Sequence, residues 1–490
     1  MIDVPLQTMI DEVLPSLRKL YGSAVERYRD LDHLEVDMLA PVSSLLDLNP
    51  LTDRAERLVK AARAAGADAA DVVALRSMSL GVEVRDGRVE ESESSEGDDI
   101  GLRVLVGRRQ AMVSTNEISD NSAALAERAV AMARATPEDK FAGLADPDML
   151  AREIPDLDLI DPKLPTVGEL EAQARTLEEA AFSVKGVSKS GGASASAGIG
   201  GMVLVTSHGF RGAYIGSNHG LSMTAIAGDG TGMERDYDYS SVRHAADLER
   251  PEDIGRKAGE RAVARLNPRK VSTRKVPVIF DPRSAGSLVS HLSGAVNGAS
   301  VARQTSFLRH KMGAKLFADG IRIVDDPLRR RGLRSHPFDG EGVACKKLAL
   351  IDDGFLRSWL LDSTTARELG LVTTGNAQRS GSSATSPGSS NLYMEPGLLS
   401  PRELIADIAD GFYVTDLIGV GANMVTGDYS RGASGFWIEN GKRTYPVSEV
   451  TIAGHLIEMF RSLTPANDLE FCYGINAPTL RVEGLTVAGQ

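Results

Sequence analysis

A chain of 490 residues is too long for a single hydrophobic core, which stops growing at about 250–300 residues, so two domains of similar size are expected. Apolar residues make up 42% and charged residues 25%, a balance that excludes wholesale disorder. The formal net charge of -12 and pI near 5.3 argue against nucleic acid as a partner, because phosphate contacts need clustered Lys and Arg.

Residues 1–45 read as an N-terminal extension in which Val13 to Tyr28 has the spacing of a short amphipathic helix, with Pro41 and Pro50 interrupting its continuation. The first thirty residues carry charges throughout and no apolar core of signal-peptide length. Thr52 is the expected cap of a helix through Ala55, Leu58, Val59 and Ala62 that ends at Gly66. Alternation around Asp86-Gly87 predicts a hairpin, with a further strand at Ile100 to Val106. Leu125, Ala129, Val130 and Ala133 predict a helix, and so does Val167 to Val184, across a Pro-rich stretch from Pro147 to Pro165. The Gly, Ser and Ala-rich tract from Ser188 to Gly232 predicts several antiparallel strands, followed by a charged helix from Pro251 to Leu266.

A basic polar linker, Asn267 to Lys275, separates a domain over residues 46–270 from one over 271–490. The second half opens on the strand Val276 to Phe280 and a helix from Ser284 to Ala299. Turn-punctuated strands follow, with one more helix from Pro401 to Gly411 capped by Ser400. Arg329 to Arg334 reads as a solvated loop, and the low-complexity tract Ser380 to Ser390 as a mobile surface loop, either a tolerated insertion or a lid over a peptide groove. Asn440-Gly441 predicts a hairpin turn after Phe436-Trp-Ile438.

Cys345 and Cys472 lie 127 residues apart and form neither a disulfide framework nor a zinc knuckle, which fits a reducing compartment. No run of 18 apolar residues occurs, so the sequence predicts a cytoplasmic protein with no membrane partner. His208, His219, His244, His310, His336 and His455 show no metal-site spacing. Gly432-Ala-Ser434-Gly only superficially resembles a nucleophile elbow. The doublets Asp325-Asp326 and Asp352-Asp353 read as solvated turn ends in preference to a hard-cation site.

The run from Thr426-Gly-Asp-Tyr-Ser-Arg-Gly-Ala-Ser-Gly-Phe-Trp-Ile-Glu-Asn-Gly441 to Tyr445-Pro-Val-Ser-Glu-Val-Thr-Ile-Ala-Gly454 resembles the TldD/PmbA family, in its PmbA (TldE) branch. Pro337-Phe-Asp-Gly-Glu-Gly-Val343, Trp359-Leu-Leu361 and Ala366-Arg-Glu-Leu-Gly-Leu371 agree with that branch in order and spacing, over about Leu46 to Gln490. Residues 1–45 fall outside the resemblance, and a start at Met38 is one account of them.

The resemblance implies an α+β fold: an N-terminal α/β domain with helices on a mixed or antiparallel sheet, and a C-terminal β-rich domain resembling a barrel or sandwich. It also implies membership of a cytosolic zinc metallopeptidase complex that acts on short unfolded peptides. In that family a TldD-like chain brings the zinc, on an HExxxH helix with a later cysteine as third protein ligand. The best register places the first histidine on Ser290, the glutamate on His291, the second histidine on Ala295 and the cysteine on Val414. Ser290 is a poor ligand, Ala295 and Val414 cannot bind metal, and His291 supplies an imidazole where a carboxylate base is required. The expected chain therefore carries no zinc and no catalytic residue of its own, with zinc in a TldD-like partner subunit and peptides as substrates. Pairing with a second copy is the arrangement expected without that partner. The alternatives are a metallopeptidase active in its own right and a peptide-binding scaffold independent of any protease.

Overall fold

The computed structural model describes residues 46–116 and 121–489. The expected helix at Val13 to Tyr28, Pro41 and the suggested start at Met38 lie outside the described residues. Residues from Leu46 onward form one compact unit.

The first half contributes α1 (Asn49–Ala64), β1 (Ala69–Arg85), β2 (Arg88–Val106), β3 (Arg109–Thr115), α2 (Ser122–Ala135), α3 (Val167–Phe182), β4 (Val187–Thr206), β5 (Arg211–Ala227), β6 (Glu234–Val242) and α4 (Pro251–Ala264). Its six strands run in the order β3-β2-β1-β4-β5-β6. Every pairing is antiparallel, so of the two sheet types left open by the sequence the antiparallel one is found.

Several boundaries differ from expectation for local reasons. Pro50 stands where a new helix starts, and Thr52 is not its cap. The proline occupies the first turn of α1, where the missing N–H costs nothing, and the Thr52 hydroxyl bonds back to Leu48 O at 2.9 Å from inside the helix. Gly66, at φ +98°, ends the helix as expected. The Asp86-Gly87 turn is present, but the strand at 100–106 is the far end of the same β2, because pairing with β1 continues through the exposed acidic stretch with one register shift, between Glu83 and Val84.

Val82 and Val84 pack with Leu170, Leu177, Ile254 and Ala258 into a core beneath α3 and α4. Small residues allow close approach there: a Cβ on Gly255 would lie 2.1 Å from Leu177 O. Asp71 and Val73, one strand step out of phase with Val72, turn toward the second half, where Val73 packs with Leu204, Phe210 and Phe338.

The second half contains β7 (Arg274–Phe280), α5 (Pro282–Ala295), α6 (Gly298–Ala302), β8 (Ile323–Asp325), β9 (Leu348–Asp352), β10 (Phe355–Leu356), α7 (Ser363–Leu369), β11 (Ala377–Gln378), β12 (Ser386–Pro387), β13 (Leu392–Met394), α8 (Pro401–Ile405), β14 (Asp410–Ile418), β15 (Asp428–Glu439), β16 (Lys442–His455), α9 (Leu456–Arg461), β17 (Leu463–Pro465), β18 (Ile475–Asn476) and β19 (Leu480–Ala488). Strands β16-β15-β14-β7-β19 lie side by side, and β19 pairs back onto β16 through Thr451 with Ala488 and Ile452 with Val487. This closes a five-stranded barrel and removes the free edges. Its core includes Val278, Phe280, Phe412, Val414, Ile452 and Val482, all 0% exposed. A second sheet, β10-β9-β8-β13-β18, lies beyond it.

Asn440 and Gly441 both have positive φ, 49° and 73°, as a two-residue hairpin turn requires. The expected helix from Ser284 to Ala299 breaks before Asn297, whose side chain caps α6 by accepting from Ala299 N at 3.0 Å. The helix at 401–411 stops at Ile405, and the chain enters β14 from Asp410.

Asp325 departs from the expected solvated turn: it is 0% exposed on β8 and accepts bonds from Ser390 N and Asn376 Nδ2 at 2.7 and 2.8 Å. Burial pushes its carboxyl up to about 6. The tract at 380–390 is likewise more engaged than a free loop. It carries the turn and the second strand of the β11–β12 hairpin, and Asn297 Nδ2 donates to Pro387 O at 2.6 Å.

Candidate functional site

The segment on which the register expected from the sequence would place the zinc motif is α5. Asp281 caps it by accepting from Ser284 N at 2.9 Å, and Pro282 fills the first turn, so Asp-Pro-Arg-Ser starts the helix just past β7. Asp281 N donates to Val414 O at 3.1 Å, fixing the helix start against β14. Ala285, Leu288, Val289, Leu292 and Ala295 form the buried stripe.

Of the four aligned positions, Ser290 is exposed, His291 half-buried, and Ala295 and Val414 are 0% exposed in the apolar core. The Ala295 carbonyl accepts from Ser306 Oγ at 2.6 Å. Val414 pairs with Phe280 on one side and Gly435 on the other. His291 meets Tyr429 edge-on, with ring centroids 5.9 Å apart, and its buried Nε2 has no hydrogen-bond partner. Burial, and the Arg431 guanidinium, hold the imidazole down at about 4.

These residues do not fit a zinc ion. Two positions offer only methyl groups, one a solvated hydroxyl, and the lone imidazole stands under the field of a guanidinium that repels a dication. Among the described residues no three His, Cys, Asp or Glu side chains gather into a group able to hold a metal. Cys345 and Cys472 are both free thiols, with burial pushing each upward.

A second constellation, which the sequence reading passed over, joins the two halves. Asp71 on β1 sits opposite Arg103 on β2 and accepts from its Nε at 3.0 Å. The same carboxylate takes Arg379 from the hairpin arm before the 380–390 tract. Burial alone would raise Asp71, yet Arg103 and Arg379 hold it below the usual carboxylate range. Glu341 lies 3.8 Å from Arg103, and its Oε2 accepts from Ser363 N at 2.8 Å. Asp339 accepts from the backbone N–H groups of Glu341, Val343 and Ala377 at 2.9, 2.9 and 3.0 Å. Burial raises both Asp339 and Glu341. The Pro337 to Val343 motif is thus a polar brace. The available signal was a charged residue inside an apolar strand, as in Leu102-Arg103-Val104 and Ala70-Asp71-Val72, because such a residue must find a buried partner.

The sequence matches the PmbA/TldA metallopeptidase domain 1 over residues 70–133, the central domain over 160–266 and the C-terminal domain over 273–489. It is 38% identical over 426 residues to the metalloprotease PmbA of Escherichia coli O157:H7, covering 86% of this chain and 93% of that one. A PmbA homolog of Haemophilus influenzae is 35% identical over 435 residues, covering 88% and 94%. Among solved structures, a candidate modulator of DNA gyrase from Bacteroides thetaiotaomicron superposes with TM-score 0.83 at 29% identity, over 91% of this chain and 100% of the other. TldE of Thermococcus kodakarensis superposes with TM-score 0.78 at 22% identity, over 89% and 99%, a likeness of fold. With three family domains matched in order around a closed barrel and a braced N-terminal sheet, the chain belongs to the PmbA/TldE family of metallopeptidases.

Proposed function

We propose that this chain is the non-catalytic, TldE-type subunit of a cytosolic zinc metalloprotease complex, paired with a TldD-like chain that supplies the metal and the peptide-cleaving chemistry. One observation carries the reading: the positions aligned with the zinc motif hold Ser290, His291, Ala295 and Val414, two of them sealed in an apolar core. A metallopeptidase needs converging ligands and a carboxylate to take the proton of zinc-bound water, and this helix offers neither. Short or unfolded peptides are the substrate class, held in extended form through main-chain pairing to a strand edge.

The test is elemental analysis of the chain purified alone without chelator, followed by co-expression with a TldD-like chain carrying an intact HExxxH. The expected result is far less than one zinc per chain alone, no peptide hydrolysis alone, and both in the co-purified complex. Stoichiometric zinc or peptide cleavage by the lone chain would overturn the assignment, as would failure to co-purify with any such partner.

A further inference from the structure

A cleft of about 520 Å³ opens where β4 and β5 meet the loops around 334–340 and 377–390. Arg243, Arg334, Arg379, Tyr214 and His336 line it, and no carboxylate does. That is a notable bias in a chain of formal net charge -12.

Arg243 is the informative member. Its guanidinium donates from Nε to Gly332 O at 3.2 Å, from Nη1 to Ser217 O at 3.0 Å and from Nη2 to Leu333 O at 2.5 Å. Five N–H donors less these three bonds leaves two, and among the described residues no acidic side chain balances its charge. The carbonyls orient the planar group without neutralising it, and a largely buried guanidinium in that state favours an anion strongly. Arg379 lies behind it and adds positive field, with its Nη1 on Asp71 and its Nη2 donating to Gly101 O at 3.3 Å. Its side chain is 0% exposed, yet its Nε has no partner, while the one carboxylate it touches, Asp71, is shared with Arg103. Arg334 is exposed at the rim with its head lying against Gly474, and it forms no ion pair among the described residues, so its charge is left for a ligand. The His336 ring is fixed by a 3.0 Å contact between its Nδ1 and Arg334 O.

We propose that this cleft is a binding site for a small oxyanion, a carboxylate or phosphoryl group, held by Arg243 from below under the added field of Arg379 and met at the rim by Arg334. Planar guanidinium forks match both groups, which is why arginine is favoured for such recognition. The site does not depend on whether the chain is catalytic.

The test is isothermal titration calorimetry of the full-length chain with inorganic phosphate, and in parallel with acetyl-dialanine as the free acid and as its C-terminal amide. Saturable binding of phosphate alone assigns the site to phosphoryl ligands, binding of the free acid but not the amide assigns it to carboxylate chain ends, and binding of both assigns it to the shared group. In each supporting case Arg334→Gln weakens binding by about tenfold or more, as expected for one charge-assisted hydrogen bond. Arg243→Gln, confirmed folded by circular dichroism, weakens it further. Arg330→Gln, on a residue that pairs with Asp158 at 3.1 Å, leaves it unchanged. No saturable binding by the unsubstituted chain, or equal affinity in the Arg334→Gln variant, would overturn the proposal.

Discussion

His291 shows how far a single residue departs from the chemistry its position implies. Burial and Arg431 lower its imidazole from 6.5 to about 4. Between those values the unfolded chain binds a proton that the folded chain does not, so this contribution to stability is present above pH 6.5 and is lost as the pH falls toward 4. His291→Gln removes the contribution. The expected outcome is a shallower fall of the urea midpoint across that range than in the unsubstituted protein, and parallel profiles would show that the ring titrates as if in water. The sequence made the lone histidine legible, but not its neighbours: Tyr429 and Arg431 lie far along the chain, and only the pairing of β15 brings them to α5.

At the scale of elements, the tract at 380–390 is held by backbone proximity. A Cβ on Gly101 of β2 would lie 1.9 Å from Gly381 O, so only glycine permits this approach. Gly101→Ala therefore pushes the tract from the sheet, at a cost of about 1–3 kcal/mol typical of overpacking. Hydrogen exchange at residues 380–386 is expected to rise by about tenfold or more as local opening becomes easier; unchanged exchange would show that the tract shifts without undocking. Composition suggested a free loop because Ser and Gly carry no packing signal of their own. The docking depends on partners about 280 residues away, such as Arg103, whose Nη1 donates to Thr385 Oγ1 at 3.3 Å.

Across the whole molecule, the Asp71 carboxylate is the point where the two halves share one charge. Arg367 reinforces the joint by donating from α7 to Phe141 O and Gly143 O at 3.0 and 3.3 Å. Such contacts couple the halves into one unfolding unit. Asp71→Asn leaves two buried guanidinium groups without their carboxylate, which costs about 3–5 kcal/mol. Both tryptophans, Trp359 and Trp437, lie in the second half, so their fluorescence follows that half alone, while far-UV circular dichroism follows both. In the unsubstituted protein the two urea transitions are expected to coincide, and in Asp71→Asn to separate. Coincidence in the variant would assign the coupling to the surrounding apolar contacts.

The sequence by itself determined the features encoded within a few residues of one another: the helix and strand periodicities, the Asp86-Gly87 and Asn440-Gly441 turns, and the lack of an HExxxH run. Those are local because backbone conformation and ligand chemistry depend on the residue present and its immediate neighbours. Barrel closure of β19 onto β16, the burial of Asp325, the Asp71 brace and the arginine-lined cleft were decided only by tertiary structure. Each depends on groups distant in the chain arriving at one place, where loss of water makes their charges and hydrogen bonds count.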